Sequence, residues 1–290
     1  MRAACIDIGS NTTRLLVADC DATGLVEVHQ ERVFTRLGRG LRDGGIISDE
    51  KIGEVVGVVV RQLAAARGFG AEELRGVATA AVRTASNGAQ LVHAIASASG
   101  LEVEIVSAAE EARLAFLGAA TMLGTRPNGE LGVIDVGGGS SEIVVGRPPD
   151  RISWWSSFPV GSGALTDCRL ESDPPTAAEL AAARADVKRA LAGFEPPRPT
   201  VAVAVGGSTT SLSRVAGPVL DTRALQRSLD VLTGAPAVVV AQRFAIDPER
   251  ARLLTAGLLI LEGSSRLLQM TLTVGRGGIR EGVLLEARGL

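Results

Sequence analysis

Twice in this 290-residue chain an apolar run carries an aspartate into a turn of glycines and hydroxyls, and two further strand-like runs follow. The first copy passes through residues 3–8 into Asp7-Ile8-Gly9-Ser10-Asn11, then through 14–20 and 25–34. The second passes through 131–136 into Asp135-Val136-Gly137-Gly138-Gly139-Ser140-Ser141-Glu142, then through 143–146 and 152–158. Leu25, Val26 and Val28 give the third run the period-2 character of a half-buried strand. Asp7 and Asp135 stand in equivalent places, so the repetition predicts two related domains facing each other. The breaker cluster at 124–129 sets their boundary, giving domains 1–123 and 124–290. Length agrees, because single cores stop growing at about 250–300 residues.

Helix and strand signals alternate through the rest of the chain. Leu37-Gly38-Arg39-Gly40-Leu41 precedes a helix over 48–67; strand 76–79, helix 87–97, strand 103–106 and helix 108–123 follow. In the second half, Thr176 and Glu179 read as a capping box opening a helix to about residue 191. Strand 201–205 runs into Gly206-Gly207-Ser208-Thr209-Thr210, a third small-residue loop that opens a helix. Asp247-Pro248 supplies an N-cap and an N1 proline for a long helix to about 269. A strand over 271–274 and a final helix from about 278 close the chain.

Composition excludes several classes. With 30 basic and 32 acidic residues the net charge is −2, which argues against bulk nucleic-acid or membrane-surface binding. An apolar fraction of 46% excludes disorder. The best apolar run, 253–261, is closed by Glu262 and is far short of the roughly 20 residues a membrane span needs. The N-terminus shows no charged segment followed by an apolar one, so no signal peptide is expected. Cys5, Cys20 and Cys168 have no Cys-x-x-Cys spacing; their odd number suits a reducing cytoplasm, and cysteines and methionines alike read as core. His29 and His93 stand alone, leaving no material for a His/Cys metal site or a His-based triad. Adjacent Trp154 and Trp155 point to opposite faces of a strand and read as packing. Lys51 and Lys188 are the only lysines, and arginine grips phosphate in a bidentate fork. Position decides which arginines do so.

Three loops share one construction, an apolar strand followed by glycines and hydroxyls: Gly9-Ser10-Asn11-Thr12-Thr13, Gly137-Gly138-Gly139-Ser140-Ser141 and Gly206-Gly207-Ser208-Thr209-Thr210. Glycine lets backbone N–H groups approach an anion closely, and hydroxyls add donors. One such loop is an ordinary tight turn; three point to phosphate held between domains. None fits the Walker or dinucleotide fingerprints. Asp7 and Asp135 end buried-looking strands, where an acid is costly unless it is paired, caps its own turn or meets a metal. Hard oxygen ligands beside phosphate loops fit Mg²⁺, with Mn²⁺ as the substitute, and Asp7 could equally hold a metal-bound water. In Ser107-Ala108-Ala109-Glu110-Glu111, Ser107 and Glu110 read as a capping box. Glu111 is then left over in the first turn, where the helix dipole favours a carboxylate. It is the candidate general base for activating a water, with Arg83 and Arg113 able to flank it. Arg36, Arg39 and Arg42 form a basic loop that reads equally well as solvated or as an anion contact.

The segments from Ala4 to Thr12, Ala78 to Asn87, Glu110 to Leu114, Asp135 to Glu142, Val205 to Thr209 and Arg280-Glu281-Gly282, in this order, resemble the exopolyphosphatase/guanosine pentaphosphate phosphohydrolase family of the actin/sugar-kinase/Hsp70 superfamily. The resemblance spans nearly the whole chain. It implies an α/β fold of two actin-like (ribonuclease H-like) domains, mixed sheets flanked by helices, with the active site in the interdomain cleft and the last helix free to pack back on the first domain. It implies hydrolysis of a terminal phosphoanhydride: release of orthophosphate from short polyphosphate, or conversion of guanosine pentaphosphate to the tetraphosphate. By matching position, Glu111 is the base, and Asp135 and Glu142 handle Mg²⁺ and water, with Asp7 a further metal candidate. Phosphate contacts fall on Gly9, Ser10, Asn11, Thr12, Arg83, Gly137, Gly138, Gly139, Ser140, Ser141, Gly207, Ser208 and Thr209. A homodimer is compatible with the resemblance. The family commonly has Pro-Leu-Gly with an arginine three residues on, where this chain has Ala164. The further helical domains of long members are not expected here, nor is processive grip on long chains. Alternatives from other classes are an ATP-dependent kinase and a non-catalytic sensor of alarmones or polyphosphate.

Overall fold

The computed structural model describes residues 1–21, 24–39, 41 and 45–289; Gly40 and Arg42 of the basic loop lie outside them. The first strands form an antiparallel meander, β1 (Arg2–Ile8), β2 (Thr13–Asp21) and β3 (Gly24–Val33). Helix α1 (Asp49–Gly68) follows, its start fixed by Ser48, whose Oγ accepts from the Lys51 N–H. Its buried Ile52, Val55, Val59, Leu63 and Ala66 recur at three- and four-residue spacing, the stripe of a core-facing helix. Then come β4 (Glu73–Ala78), α2 (Ala80–Thr84), α3 (Gly88–Ser99), β5 (Val103–Ile105) and α4 (Ala108–Thr121). The sheet order is β3-β2-β1-β4-β5, with β4 parallel to β1 and β5 parallel to β4. Between Arg2 and Asp7 strand β1 is apolar, because both its faces are covered. Ala4, Ile6 and Ile8 join the core under α1 and α3, while Ala3 and Cys5 join a second cluster with Leu114 of α4.

The same plan returns further along. β6 (Leu131–Val136), β7 (Ser141–Arg147) and β8 (Arg151–Phe158) form a second meander, followed by α5 (Ser162–Arg169) and α6 (Ala177–Ala190). Next are β9 (Val201–Val205), α7 (Gly206–Ala216), β10 (Val219–Leu220), α8 (Thr222–Thr233), α9 (Ala237–Phe244), α10 (Pro248–Leu268) and β11 (Leu272–Val274). The sheet order is β10-β11-β9-β6-β7-β8, with β9 parallel to β6 as β4 is to β1. The chain divides into two compact units, Met1–Met122 with Gly277–Leu290, and Leu123–Arg276. The last helix, α11 (Ile279–Glu286), thus belongs to the first unit. It packs on α4 through glycines: a Cβ on Gly282 would collide with the Leu114 carbonyl, and one on Gly118 with that of Gly278.

Several expectations are corrected. Gly206 is already helical, so the third loop is the first turn of α7. Helices α2, α5, α8 and α9 and strand β10 are additional to the elements expected from the sequence. Cys168 is exposed, unlike buried Cys5 and Cys20. It sits near the end of a short helix, where one face meets solvent. Among the described residues no helix is long and apolar enough to cross a membrane.

Candidate active site

In the first unit Asp7 lies opposite Arg14 across β1–β2, and directly opposed residues project to the same face. Asp7 is 8% exposed, and its Oδ1 has no hydrogen-bond partner among the described residues. Burial pushes its carboxyl above the usual range, while the charges of Arg14 and Arg280 pull it back. The turn that follows closes with the Gly9 N–H donating to the Thr12 carbonyl at 3.0 Å. The carbonyls of Ser10 and Asn11 accept from the N–H groups of Gly38, at 2.7 Å, and Arg36, at 2.9 Å. Carbonyl and N–H of one trans peptide point in opposite directions. The N–H groups of Asn11 and Thr12 therefore face away from the 36–38 segment. Arg36 takes a left-handed conformation, φ 46°, to make this contact. Behind the turn, the Thr13 and Thr35 hydroxyls meet at 3.1 Å and the Gln62 amide donates to the Thr13 carbonyl.

The loops after β4 and β5 stand beside this turn, because Thr79 N–H donates to the Ile8 carbonyl and Val106 N–H to that of Ala78. All three leave the carboxyl ends of parallel strands, where open α/β sheets bind ligands. Arg83 of α2 donates through Nη1 to the Val106 carbonyl at 2.8 Å and to Glu111 Oε2 at 2.9 Å. The Glu111 side chain is only 12% exposed and sits in the first turn of α4. Ser107 caps that turn as expected, its Oγ accepting from Glu110 N–H. Glu110 departs from the capping-box reading: its carboxylate accepts from Arg113 Nε and Nη2, at 2.9 and 2.6 Å. Arg113 therefore flanks Glu110 and Glu286, not Glu111. A guanidinium at that range outcompetes a backbone N–H for the same oxygens.

In the second unit the turn is built the same way. Gly137 N–H donates to the Ser140 carbonyl at 3.0 Å. The carbonyls of Gly137 and Gly138 accept from Ser162, Gly163 and Ala164 in the first turn of α5. The N–H groups of Gly138 and Gly139 accordingly face away from α5. Ser141 donates its hydroxyl to the Val160 carbonyl at 2.6 Å. Asp135 lies opposite Glu142 across β6–β7, and Glu142 Oε1 accepts from Ser157 Oγ at 2.7 Å. Gly206, at φ +90°, brings the start of α7 against Asp135: a Cβ there would lie 2.5 Å from Asp135 Oδ1. Ser208 donates to Ser162 Oγ, and the buried Thr209 hydroxyl has no hydrogen-bond partner among the described residues. Among the described residues no three His, Cys, Asp or Glu side chains are grouped so as to hold a metal ion.

Sequence reasoning missed Arg250. It is 5% exposed, donates from Nη1 to Ser208 Oγ at 3.4 Å, and holds its Nη2 2.9 Å from where a Cβ on Gly207 would lie. Its neighbour Asp247 advertises a helix start, but nothing local marks an arginine in that first turn as buried. Ala164 is exposed on α5 with its N–H used on Gly138.

A family profile described as the Ppx/GppA phosphatase family matches residues 16–289. The chain is 32% identical over 322 residues to Exopolyphosphatase 2 of Mycobacterium tuberculosis, covering 99% of each. It is also similar to the crystal structure of the Aquifex aeolicus Ppx/GppA family member, at TM-score 0.82 and 29% identity, over 99% of this chain and 97% of that one. An exopolyphosphatase from Cytophaga hutchinsonii shares the fold at TM-score 0.89 and 22% identity, over 100% of this chain and 99% of its own.

Proposed function

The chain belongs to the Ppx/GppA phosphatase family, hydrolases of phosphoanhydrides, and from that premise we propose that it is an exopolyphosphatase releasing orthophosphate from the end of short inorganic polyphosphate. The observation that carries the reading is the ion pair of Glu111 with Arg83, a mostly buried carboxylate held by a guanidinium beside the Gly9 turn. Glu111 accepts the proton of the water that attacks the terminal phosphorus. Arg83, fixed by the Val106 carbonyl, orients Glu111. The outward N–H groups of Asn11, Thr12, Gly138 and Gly139 are suited to bind phosphate oxygens, as preorganised donors do for developing charge. With only six Phe, two Trp and no Tyr, few side chains can stack on a base, which favours an inorganic chain over a nucleotide.

The opposed pair Asp135 and Glu142 fits Mg²⁺ or Mn²⁺, since Mg²⁺ is usually bound by one or two carboxylates with substrate phosphates and waters completing its shell. Bound there, the ion would supply positive charge to the phosphate oxygens.

The test is orthophosphate release by the purified protein on short polyphosphate, long polyphosphate and guanosine pentaphosphate in parallel. A positioned base is worth about 10²–10⁴ in rate, so Glu111→Gln is expected to lose at least that on the preferred substrate with the fold intact. Turnover unchanged in Glu111→Gln removes the assigned base. A clear preference for guanosine pentaphosphate replaces the substrate, and tight binding without release makes the protein a sensor.

A further inference from the structure

We propose that Arg280, on the returning helix α11, is a positioning residue that anchors the Asp7–Thr12 turn from beneath. The Arg280-Glu281-Gly282 segment has no part in the chemistry above. Gly282 is explained by the close approach of α11 to α4, but packing does not require a cation at 280. Arg280 is 5% exposed and donates from Nη1 to the Leu15 carbonyl at 2.9 Å, across 265 residues of chain. Leu15 is paired with Ile6, the rung next to Asp7 and Arg14. Asp7 shares the face of β1 that carries Ala3 and Cys5, and these pack on Ile279, Val283 and Leu284 of α11.

The charges that act on Asp7 are Arg14 of β2 and Arg280 and Glu281 of α11, with Glu281 3.8 Å from Arg280 Nη2. Buried Asp7 and partly buried Glu281 are thus set against two arginines. Removing Arg280 leaves Arg14 to balance Asp7 and takes the guanidinium from beside Glu281, and a buried charge that loses a partner is strongly destabilising. It also frees the β2 rung that fixes where the turn begins. The N–H groups of Asn11 and Thr12 then lose their alignment, and small misplacements are costly in catalysis.

The activity consequence rests on the phosphohydrolase reading; the coupling of Arg280 to Asp7 does not. The experiment is a thermal-denaturation cycle on the full chain with Arg280→Met, Asp7→Asn and the double variant, and Arg280→Lys in parallel. Arg280→Met is expected to lower Tm, and to lower it by much less in the Asp7→Asn background. In the orthophosphate assay, Arg280→Met is expected to cost about tenfold or more in kcat with KM little changed, and Arg280→Lys to recover part of it. Equal Tm losses in both backgrounds would overturn the proposal, because Arg280 would then be ordinary packing. Should Arg280→Met fail to fold, the same cycle is run with Arg280→Lys, and additivity there overturns it equally. Absence of phosphatase activity in the parent protein would sink the functional reading while the Tm cycle still decides the coupling.

Discussion

In one unit Asp7 faces Arg14 across the first hairpin, whereas in the other Asp135 faces Glu142 at the same place. The backbones are otherwise matched: both turns close with an N–H to carbonyl bond of 3.0 Å, and both have their next carbonyls held by a neighbouring segment. The 36–38 loop does this in the first unit and the start of α5 in the second. Geometry is therefore shared and charge is specialised. The first turn meets an acid with a cation from its own fold. The second sets two acids face to face, an arrangement that like-charge repulsion disfavours and a divalent cation would reverse.

The largest effect expected from this contrast is on metal dependence. Glu142→Gln should raise the Mg²⁺ concentration for half-maximal orthophosphate release by roughly 10–100-fold, with activity partly restored by excess Mg²⁺. Arg14→Gln should also lose activity, but without recovery in excess Mg²⁺. A shifted Mg²⁺ midpoint in Arg14→Gln, equal to that of Glu142→Gln, would show that the turns do not divide the work.

A smaller effect concerns backbone space. Gly206 has φ +90° and room for a Cβ only 2.5 Å from Asp135 Oδ1, whereas a Cβ on Gly9 would lie 3.1 Å from the Thr12 carbonyl. Gly206→Ala is expected to cost about 1–3 kcal/mol in urea unfolding, Gly9→Ala less. Equal costs would mean that the start of α7 against Asp135 is no tighter than the Gly9 turn.

The repeat was readable because each β1-like run is short, apolar and closed by Asp-x-Gly, a strictly local pattern. The place of Glu111 in the first turn of α4 was readable because Ser107 marks where that helix begins. What Glu110 does was not, since its partner is chosen by the distance to Arg113. Helix α9 was obscured by Val238, Val239 and Val240, a β-branched run that favours a strand until tertiary packing decides. Asp221 with Leu225, Leu229 and Leu232 carries the cap and the three- and four-residue spacing of α8 in the sequence itself. Arg250 was beyond reach, and Arg280 was singled out only as part of a family-like segment, without its burial or partner. Each is buried by contacts 42 and 265 residues away, and no local pattern distinguishes a buried arginine from a solvated one.

The smallest effect separates two helix starts, one in each unit. Glu179 of α6 closes a true capping box, accepting from the Ser172 and Thr176 N–H groups at 2.8 and 2.6 Å. Those bonds hold its carboxyl at about 2, against an ordinary 4.5. Glu110 of α4 is also held below the usual range, first by its hydrogen bonds from Arg113. In both cases the unfolded chain binds the proton more readily, so each contribution is present above about pH 4.5 and is lost as pH falls. For Glu179 the loss extends down toward pH 2. Salt distinguishes them further, because a half-exposed ion pair is screened and backbone hydrogen bonds are not. Glu110→Gln should therefore lower Tm at neutral pH and low salt, and this difference should shrink at about 1 M salt. The Tm cost of Glu179→Gln should survive the salt and fade only with acid. If both costs vanish in salt, the capping box acts as nothing more than surface charge, and the two helix starts are equivalent after all.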